Sequence, residues 1–211
     1  IERLNDEEGE EGGWAALGAV QLCLAFAKLE ESANEVERAR AIYRFALDHL
    51  PRAQAEEMYQ AFSSFEKTHG DRSAIEEVVV SRRRFQYEEE LKSLTSSSGS
   101  SSSPATGAVY DVWFDYLRLE EEYGNAEQIR EVYERAVAQV PAVQEKRFWR
   151  RYIYIWIKYA LWEELTCNNA SRAREVLKAA IGIVPHKVFS FAKLWIGAAN
   201  LEIRQLDLAA A

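Results

Sequence analysis

Carboxylates recur at a fixed place in this sequence, and they are the first residues whose types and spacing suggest chemistry. Glu30, Glu66, Glu120, Glu163 and Glu202 each follow a pair of apolar positions, seven and four residues earlier. Paired carboxylates hydrolyse glycosidic bonds when one acts as an acid and the other as a base or nucleophile. Because these glutamates recur with a whole template rather than as one pair, we interpret them as structural residues.

The histidines and cysteines give no stronger indication of catalysis. His49, His69 and His186 are far apart and fall at predicted helix ends or turns, where the helix dipole favours an imidazolium. Cys23 and Cys167 form neither a metal-binding spacing nor a disulfide framework, which fits a reducing compartment. The sequence has no Walker loop, dinucleotide fingerprint or zinc pattern. We therefore predict no enzymatic activity, no catalytic residue, no cofactor and no metal site.

One basic and aromatic cluster interrupts an acidic chain, whose net charge is −8 and whose pI is about 5.1. The acidic balance argues against broad, nonspecific binding to nucleic acid. Arginine and tryptophan are enriched among interface hot spots, so the cluster is a candidate site for an acidic protein partner. RNA phosphates are the alternative ligand, and a helix with packed stems and solvated charges would need no partner. The candidate residues are Lys146, Arg147, Trp149, Arg150 and Arg151.

The elements that must position these residues form a repeat of two helices. The first carries two aromatic positions three residues apart, and the second carries arginine, isoleucine or valine, alanine and a terminal proline. Repeats of this length predict an all-α fold, a right-handed α-solenoid of antiparallel helix pairs. The signature positions are Phe26, Glu30, Arg40, Tyr59, Phe62, Glu66, Trp113, Tyr116, Glu120, Arg130, Trp156, Tyr159, Glu163, Arg174, Trp195 and Glu202.

The template also predicts the core of each repeat. Trp156 and Tyr159 share one face of a helix, because side chains three residues apart lie on the same side. We expect both rings to be buried against the second helix of their repeat, at Val176, Leu177 and Ala180.

The recurring glutamate is predicted to bind the arginine of its own repeat across the tight turn. The proposed pairs are Glu30 with Arg40, Glu120 with Arg130, and Glu163 with Arg174. A tyrosine hydroxyl or a backbone amide of the adjoining helix is the alternative donor, since a partly buried carboxylate needs one. The second repeat has Glu76 in place of the arginine, so we expect Glu66 to find another donor.

The sequence divides into four segments. Residues 1–13 form an acidic lead-in, which we expect to be flexible or to act as a docking tail. Residues 14–94 hold repeats one and two, and residues 109–211 hold repeats three and four and part of a fifth. Residues 95–108 form a serine-rich linker or loop, natural or engineered, which cannot bury apolar area. The second helix of repeat two lacks the terminal proline and is expected to be unusually long.

The remaining composition limits the class of protein. Hydrophobic residues make up 48 % of the chain and aromatic residues 12 %, which is ample material for a core. No apolar run reaches the ~20 residues of a membrane span, and no signal peptide is visible. Because natural arrays end in polar capping repeats and this sequence stops within a repeat, we expect a fragment of a longer solenoid.

The template Trp-x2-Tyr-x3-Glu followed by Arg-x-[Ile/Val]-Tyr-x2-Ala resembles HAT (half-a-TPR) repeats. Longer strings resemble the Crooked neck family of pre-mRNA splicing factors, among them LAFAKLEE, YDVWFDYLRLEE, VYERAVAQVP and QEKRFWRRYIYIWIKYALWEEL. Cys23, Glu76 and Ala198 depart from the family pattern. HAT scaffolds of mRNA 3′-end processing share the repeat but not these strings.

The resemblance to the Crooked neck family implies a function as well as a fold. It implies a nuclear, non-catalytic protein scaffold in the NineTeen-associated part of the spliceosome. Such a scaffold would hold other splicing proteins, including a Myb-domain factor and a second HAT-repeat protein, with RNA contact secondary. It would use no small-molecule substrate and no membrane.

Overall fold

The computed structural model describes residues 4–49, 52–97 and 105–205, and this part of the chain contains nine α-helices and no strand. Each repeat is a pair of consecutive helices, and the last helix opens repeat five. The all-α helix-pair architecture predicted from the template is confirmed. The helices are α1 (Leu4–Ser32), α2 (Val36–His49), α3 (Arg52–His69), α4 (Arg72–Ser97), α5 (Ala105–Tyr123), α6 (Ala126–Ala138), α7 (Lys146–Leu165), α8 (Ala170–Ile183) and α9 (Ala192–Arg204).

Some helix ends differ from the predicted ones. Helix α1 begins at Leu4, ten residues before the predicted start at Trp14, so most of the acidic lead-in is helical. Glutamate is a good helix former, and acidic side chains near a helix N-terminus are stabilised by the helix dipole. Helix α4 is 26 residues long, as expected for a helix without a terminal proline. Residues 98–104 of the serine-rich segment lie outside the described residues.

Asparagine side chains fix the short turns within the repeats. The Asn125 side chain accepts a hydrogen bond from the backbone amide of Gln128, and the Gln128 side chain accepts one from the amide of Asn125. This capping box pairs two amides at the start of α6 that the helix itself leaves free. Asn34 and Asn168 have φ of 61° and 50°, a left-handed conformation that asparagine tolerates better than most residues. These turns hold each second helix close to its first helix.

The contacts divide the chain into two compact units, Ile1–Phe85 and Gln86–Ala211. Helices α1, α2 and α3 and the start of α4 build the core of the first unit. Its buried side chains come from both helices of repeat one and from both helices of repeat two, the last of them only through Val78. They are Val20, Leu24, Ala27, Ala39, Tyr43, Ala46, Met58, Phe62, Phe65 and Val78.

The second unit has a larger, aromatic core. Trp156 and Tyr159 are buried in it together with Val176, Leu177 and Ala180, so the predicted packing of repeat four is confirmed. The core continues from Leu91 of α4 to Leu201 of α9, with rings from α5, α6 and α7 between them. Helix α7, the first helix of repeat four, therefore packs against both α6 before it and α8 after it.

Candidate functional site

Three of the five recurring glutamates, Glu66, Glu163 and Glu202, are bound by an arginine of the preceding repeat. In three places an arginine fork donates two hydrogen bonds to a buried carboxylate, through Nε and Nη2. The pairs and distances are Arg40 with Glu66 (2.6 and 2.9 Å), Arg130 with Glu163 (2.7 and 3.1 Å) and Arg174 with Glu202 (2.5 Å each). The predicted pairing of glutamate and arginine within one repeat is wrong. Glu66 was expected to find a donor other than an arginine of its own repeat, and that donor is Arg40.

The arginine side chain reaches the next repeat because it shares a helix face with a tyrosine that packs there. Arginine and the residue three positions later lie on one side of the second helix. Tyr43 stacks on Phe62 of the next repeat with ring centroids 5.1 Å apart, and Tyr133 stacks on Tyr159 at 4.7 Å. This side therefore faces the following first helix, so its arginine reaches the carboxylate of that helix. The spacing of Arg and Tyr is the sequence signal for that direction.

Two aromatic signature residues lie at the surface, contrary to the predicted core. Phe26 is 49 % exposed and Trp195 is 51 % exposed. A tyrosine of the preceding second helix covers the ring of Phe62, the counterpart of Phe26, whereas no second helix precedes α1 in the described part of the chain. Helix α9 buries Leu194 and Glu202 as the equivalent positions of the other repeats do, so in this helix Trp195 alone departs from the template by lying at the surface.

The other signature residues are placed as the template predicts or close to it. Trp113, Tyr116 and Glu120 are buried, and Tyr59 is half-buried beside Phe85, with ring centroids 5.5 Å apart. The pairs predicted for Glu30 and Glu120 do not form with Arg40 and Arg130, which bind the next repeat. Glu30 lies 4.0 Å from Arg38 instead.

Two glycines make room for the buried carboxylates. Gly70 follows Glu66 by four residues, and Gly124 follows Glu120 by four. A Cβ atom at Gly124 would lie 2.6 Å from Oε2 of Glu120, and one at Gly70 would lie 2.7 Å from the carbonyl oxygen of Glu66. Neither glycine has a positive φ. These glycines are required for space, not for a left-handed turn.

The basic cluster lies at the start of α7, and its tryptophan belongs to the core. Trp149 is only 3 % exposed, and its indole Nε1 donates a hydrogen bond to the carbonyl oxygen of Val143 at 2.9 Å. The ring meets Tyr152 and Phe189 edge-on, with centroids 5.6 Å away in each case. Trp149 therefore anchors the helix to the preceding loop, and it is not accessible to a partner.

Two arginines of the cluster are exposed and have carboxylate neighbours. Arg147 Nε lies 2.7 Å from Oε2 of Glu145, and its guanidinium lies 4.6 Å from the ring centroid of Phe148. Arg151 forms an ion pair with Asp111 of α5. All four charged groups are more than half exposed, so water screens these pairs and they stabilise the fold little.

The other two cations leave the cluster with excess positive charge. Lys146 places Nζ 5.4 Å from the ring centroid of Phe191, and Arg150 makes no ion pair with any described residue. Four cations in the first two turns also face the positive end of the dipole of α7, an arrangement that disfavours the helix. The start of α7 is thus an exposed positive surface that an acidic group would stabilise.

The histidines and Cys167, the remaining candidates for chemistry, make contacts that stabilise the fold. His49 and His186 lie 2.9 and 2.8 Å from backbone carbonyl oxygens, and His69 lies 3.0 Å from the carboxylate of Glu31. Burial, with the nearby Glu163 carboxylate, raises the pKa of the Cys167 thiol, which disfavours its reactive thiolate form. Within 4–49, 52–97 and 105–205 no three His, Cys, Asp or Glu side chains are grouped for a metal ion. No helix in these ranges combines the length and apolar character that a membrane span requires.

Helix pairs whose first helix carries aromatic-x2-aromatic-x3-Glu, clamped by an arginine of the pair before, define a HAT-repeat protein of the α-solenoid class. The family described as "Pre-mRNA-splicing factor Syf1/CRNKL1 C-terminal HAT repeat" matches residues 16–106. The chain belongs to the Crooked neck family of HAT-repeat pre-mRNA splicing factors, as the sequence resemblance predicted.

Relatives from fungi and animals support this assignment. The chain is 50 % identical over 191 residues to pre-mRNA-splicing factor CLF1 of Paracoccidioides brasiliensis, covering 90 % of this chain and 26 % of that protein. It is 48 % identical over 188 residues to protein crooked neck of Drosophila melanogaster, covering 89 % and 25 %. It is 50 % identical over 165 residues to crooked neck-like protein 1 of Homo sapiens, covering 78 % and 18 %. The chain thus spans about a quarter or less of the length of these relatives.

Proposed function

We propose that this chain is part of a non-catalytic protein–protein interaction scaffold of the spliceosome. The observation that carries the proposal is the identity of about one half, along nine-tenths of the chain, to proteins named as pre-mRNA-splicing factors. A role in splicing places the scaffold in the nucleus. Its partners are then other splicing proteins of the NineTeen-associated complex, including a Myb-domain factor and a second HAT-repeat protein.

The buried arginine forks suit a scaffold. Each fork fixes the second helix of one repeat against the first helix of the next, with a carboxylate that is almost wholly buried. A surface held in one arrangement before binding avoids the entropic cost of ordering it on contact. The recurring glutamates serve this packing, which also argues for a non-catalytic role.

The cations at the start of α7 are the proposed contact for an acidic partner. They are exposed, they exceed their carboxylate neighbours, and the positive end of the helix dipole adds to their charge. An acidic segment that docks here relieves that repulsion, which is favourable electrostatically. Because Trp149 is buried, the contact is made by Lys146, Arg147, Arg150 and Arg151.

The test reverses the two charges that the fold needs least. The double variant Arg147→Glu with Arg150→Glu should weaken binding of an acidic splicing partner more than about tenfold, or about 1.4 kcal/mol. Its circular dichroism should match that of the parent chain. A control variant, Arg83→Glu with Lys178→Glu, makes the same change in net charge at exposed positions on α4 and α8. It should bind as the parent chain does.

Three results would change the proposal. If the double variant retains every partner in a pull-down, the cluster is an ordinary solvated helix face. If the chain binds RNA in a salt-dependent way and the double variant does not, the cluster is an RNA contact. If affinity purification from nuclear extract followed by mass spectrometry returns 3′-end processing factors in place of splicing proteins, the scaffold belongs to that machinery.

A further inference from the structure

An apolar groove lies between α7 and α9, away from the basic cluster, and the contacts within the repeats leave it unfilled. Its volume is about 350 Å³, and most of its exposed lining is apolar. Helix α7 contributes Tyr154, Ile157 and Leu161 to one wall, and α9 contributes Ile196 to the other. Tyr154 is 39 % exposed, Leu161 42 % and Ile196 57 %, so these side chains face solvent rather than the core.

The groove continues as an apolar strip along both helices. Leu165 lies one turn beyond Leu161 on α7, and Ile203 lies two turns beyond Ile196 on α9, and both are exposed. Exposed apolar side chains scattered singly are normal, whereas contiguous ones indicate an interaction site. The length of the strip exceeds what a small molecule would cover, and a furrow between two helices is the shape that a third helix fills.

Glycine forms part of the floor of the groove. A Cβ atom at Gly197 would have only Leu177 Cδ2 in reach, at 3.9 Å, which is ordinary van der Waals contact. Neither φ nor crowding within the described fold requires glycine here, although glycine is unfavourable inside a helix. What glycine does provide is space for a backbone or side chain to approach α9 closely.

The charges around the groove are unequal at its two ends. At one end the Arg204 fork donates two hydrogen bonds of 2.6 Å to the buried carboxylate of Glu164, so these charges cancel. At the other end Lys193 Nζ lies 4.7 Å from the ring centroid of Tyr154 and donates to its hydroxyl. Lys193 forms no ion pair with a described carboxylate. The two ends are separated by eleven residues of α9, or about 16 Å.

We propose that this groove binds an amphipathic helix of another protein, with its apolar side chains between α7 and α9 and a carboxylate facing Lys193. The apolar walls require the apolar stripe, and the uncompensated ammonium selects an acidic residue over a basic one at that end. The proposal rests on the scaffold function proposed above and adds a second surface with its own ligand chemistry.

A display library of helical peptides, about five turns long, selected on the 211-residue chain provides the probe. The selected peptides should carry apolar residues at i, i+3, i+4 and i+7 and an Asp or Glu near one end. Fluorescence anisotropy then compares their binding to variants. Gly197→Leu fills the floor of the groove and should weaken binding more than about tenfold. Lys193→Glu should also weaken it, and replacing the peptide's acidic residue by lysine should restore binding to that variant.

Lys178→Glu is the matched control for charge, because Lys178 is exposed on α8 and does not line the groove. It should leave peptide affinity unchanged. Circular dichroism and thermal unfolding check that Gly197→Leu is folded. Restored binding between Lys193→Glu and the lysine-bearing peptide is a second readout that does not depend on the Gly197→Leu variant.

The outcomes separate this proposal from the scaffold function. Failure to select any peptide, or equal binding to parent and Gly197→Leu, overturns the groove as a helix site. Self-association that Gly197→Leu abolishes identifies a second copy as the occupant, which also overturns the proposal. If Gly197→Leu retains all splicing partners while Arg147→Glu with Arg150→Glu loses them, the scaffold function stands without the groove. If peptides bind the groove but no splicing protein is ever captured, the scaffold function fails instead.

Discussion

Removing one arginine of a buried fork should destabilise the second unit far more than removing an exposed arginine. Glu163 is fully buried, and it accepts hydrogen bonds from Arg130 at 2.7 and 3.1 Å. Arg130 is 26 % exposed, so solvent screens this pair only in part. Arg130→Met keeps the aliphatic stem of the side chain and removes both donors, leaving the carboxylate in the core without its main partner.

The expected magnitude follows from what remains around the carboxylate. Removing one partner of a buried ion pair costs about 3–5 kcal/mol. Arg172 Nε lies 3.2 Å from the same Glu163 oxygen and retains part of the compensation. We therefore expect Arg130→Met to lower the free energy of unfolding by about 3 kcal/mol, the lower end of that range. Arg172→Met alone should cost less, and the two together should cost more than the sum of the single changes.

Urea unfolding followed by tryptophan fluorescence measures the free energy of unfolding of the second unit, which contains Arg130 and Glu163. Five of the six tryptophans belong to the second unit, so the signal reports mainly on it. Arg147→Met is the control, because the Arg147–Glu145 pair is exposed on both sides and should change stability by less than about 0.5 kcal/mol. A double-mutant cycle with Glu163→Gln isolates the coupling between Arg130 and the carboxylate.

The reasoning is refuted if Arg130→Met and Arg147→Met cost the same. It is also refuted if Glu163→Gln does not change the effect of Arg130→Met, since the arginine would then act through packing alone. In either case the fork would be a surface contact in energetic terms, and the burial of the carboxylate would need another explanation.

Three further predictions concern the core and its titration. Trp156→Ala should cost roughly 3–5 kcal/mol in urea unfolding, and an unchanged transition would contradict the packed core of repeat four. Gly70→Ala should lower thermal stability although alanine favours helices, because its Cβ meets Glu66; a stabilised variant would show that the carboxylate has room to move. Burial, then nearby carboxylates, raises the pKa of Tyr116 to about 12. Since the folded chain holds this proton more tightly, its contribution to stability is intact below pH of about 10 and falls from there to about 12. Between pH of about 10 and 12, the Tyr116→Phe variant should lose less free energy of unfolding than the parent chain. An identical loss in both would disprove the raised pKa of Tyr116.

Periodicity alone predicts the helix pairs and the buried rings of repeat four. Trp156 and Tyr159 are three residues apart, and that spacing determines their common face whatever the neighbouring repeat does. The length of α4 is predictable for a similar reason, since the helix lacks the proline that ends the others. These features depend on residues close together in sequence, so one sequence is sufficient to infer them.

The partners of the arginines depend on packing between repeats, and the sequence prediction failed there. Glu163 and Arg174 are close in sequence across a tight turn, but nearness along the chain does not determine which way a helix face is turned. Arg174 binds Glu202 because its side of α8 faces α9. The burial of Trp149 was missed for a related reason. Its hydrogen bond to Val143 comes from an irregular loop that no helical period describes.

Each arginine fork joins the second helix of one repeat to the first helix of the next. The helix pair that the forks stabilise is therefore offset by one helix from the pair that repeats in the sequence. A fragment that begins with α6 and stops after α7 keeps Arg130 and Glu163 together, whereas a cut between repeats three and four separates them. A chimera joined at the sequence repeat boundary would therefore place a buried carboxylate at the junction. The helix opposite that carboxylate would come from another protein, without the arginine that binds it here. Swapping modules that run from a second helix through the following first helix leaves Glu66, Glu163 and Glu202 each with its own arginine. For protein engineering, the transferable unit of this fold is the pair of helices that the sequence assigns to different repeats.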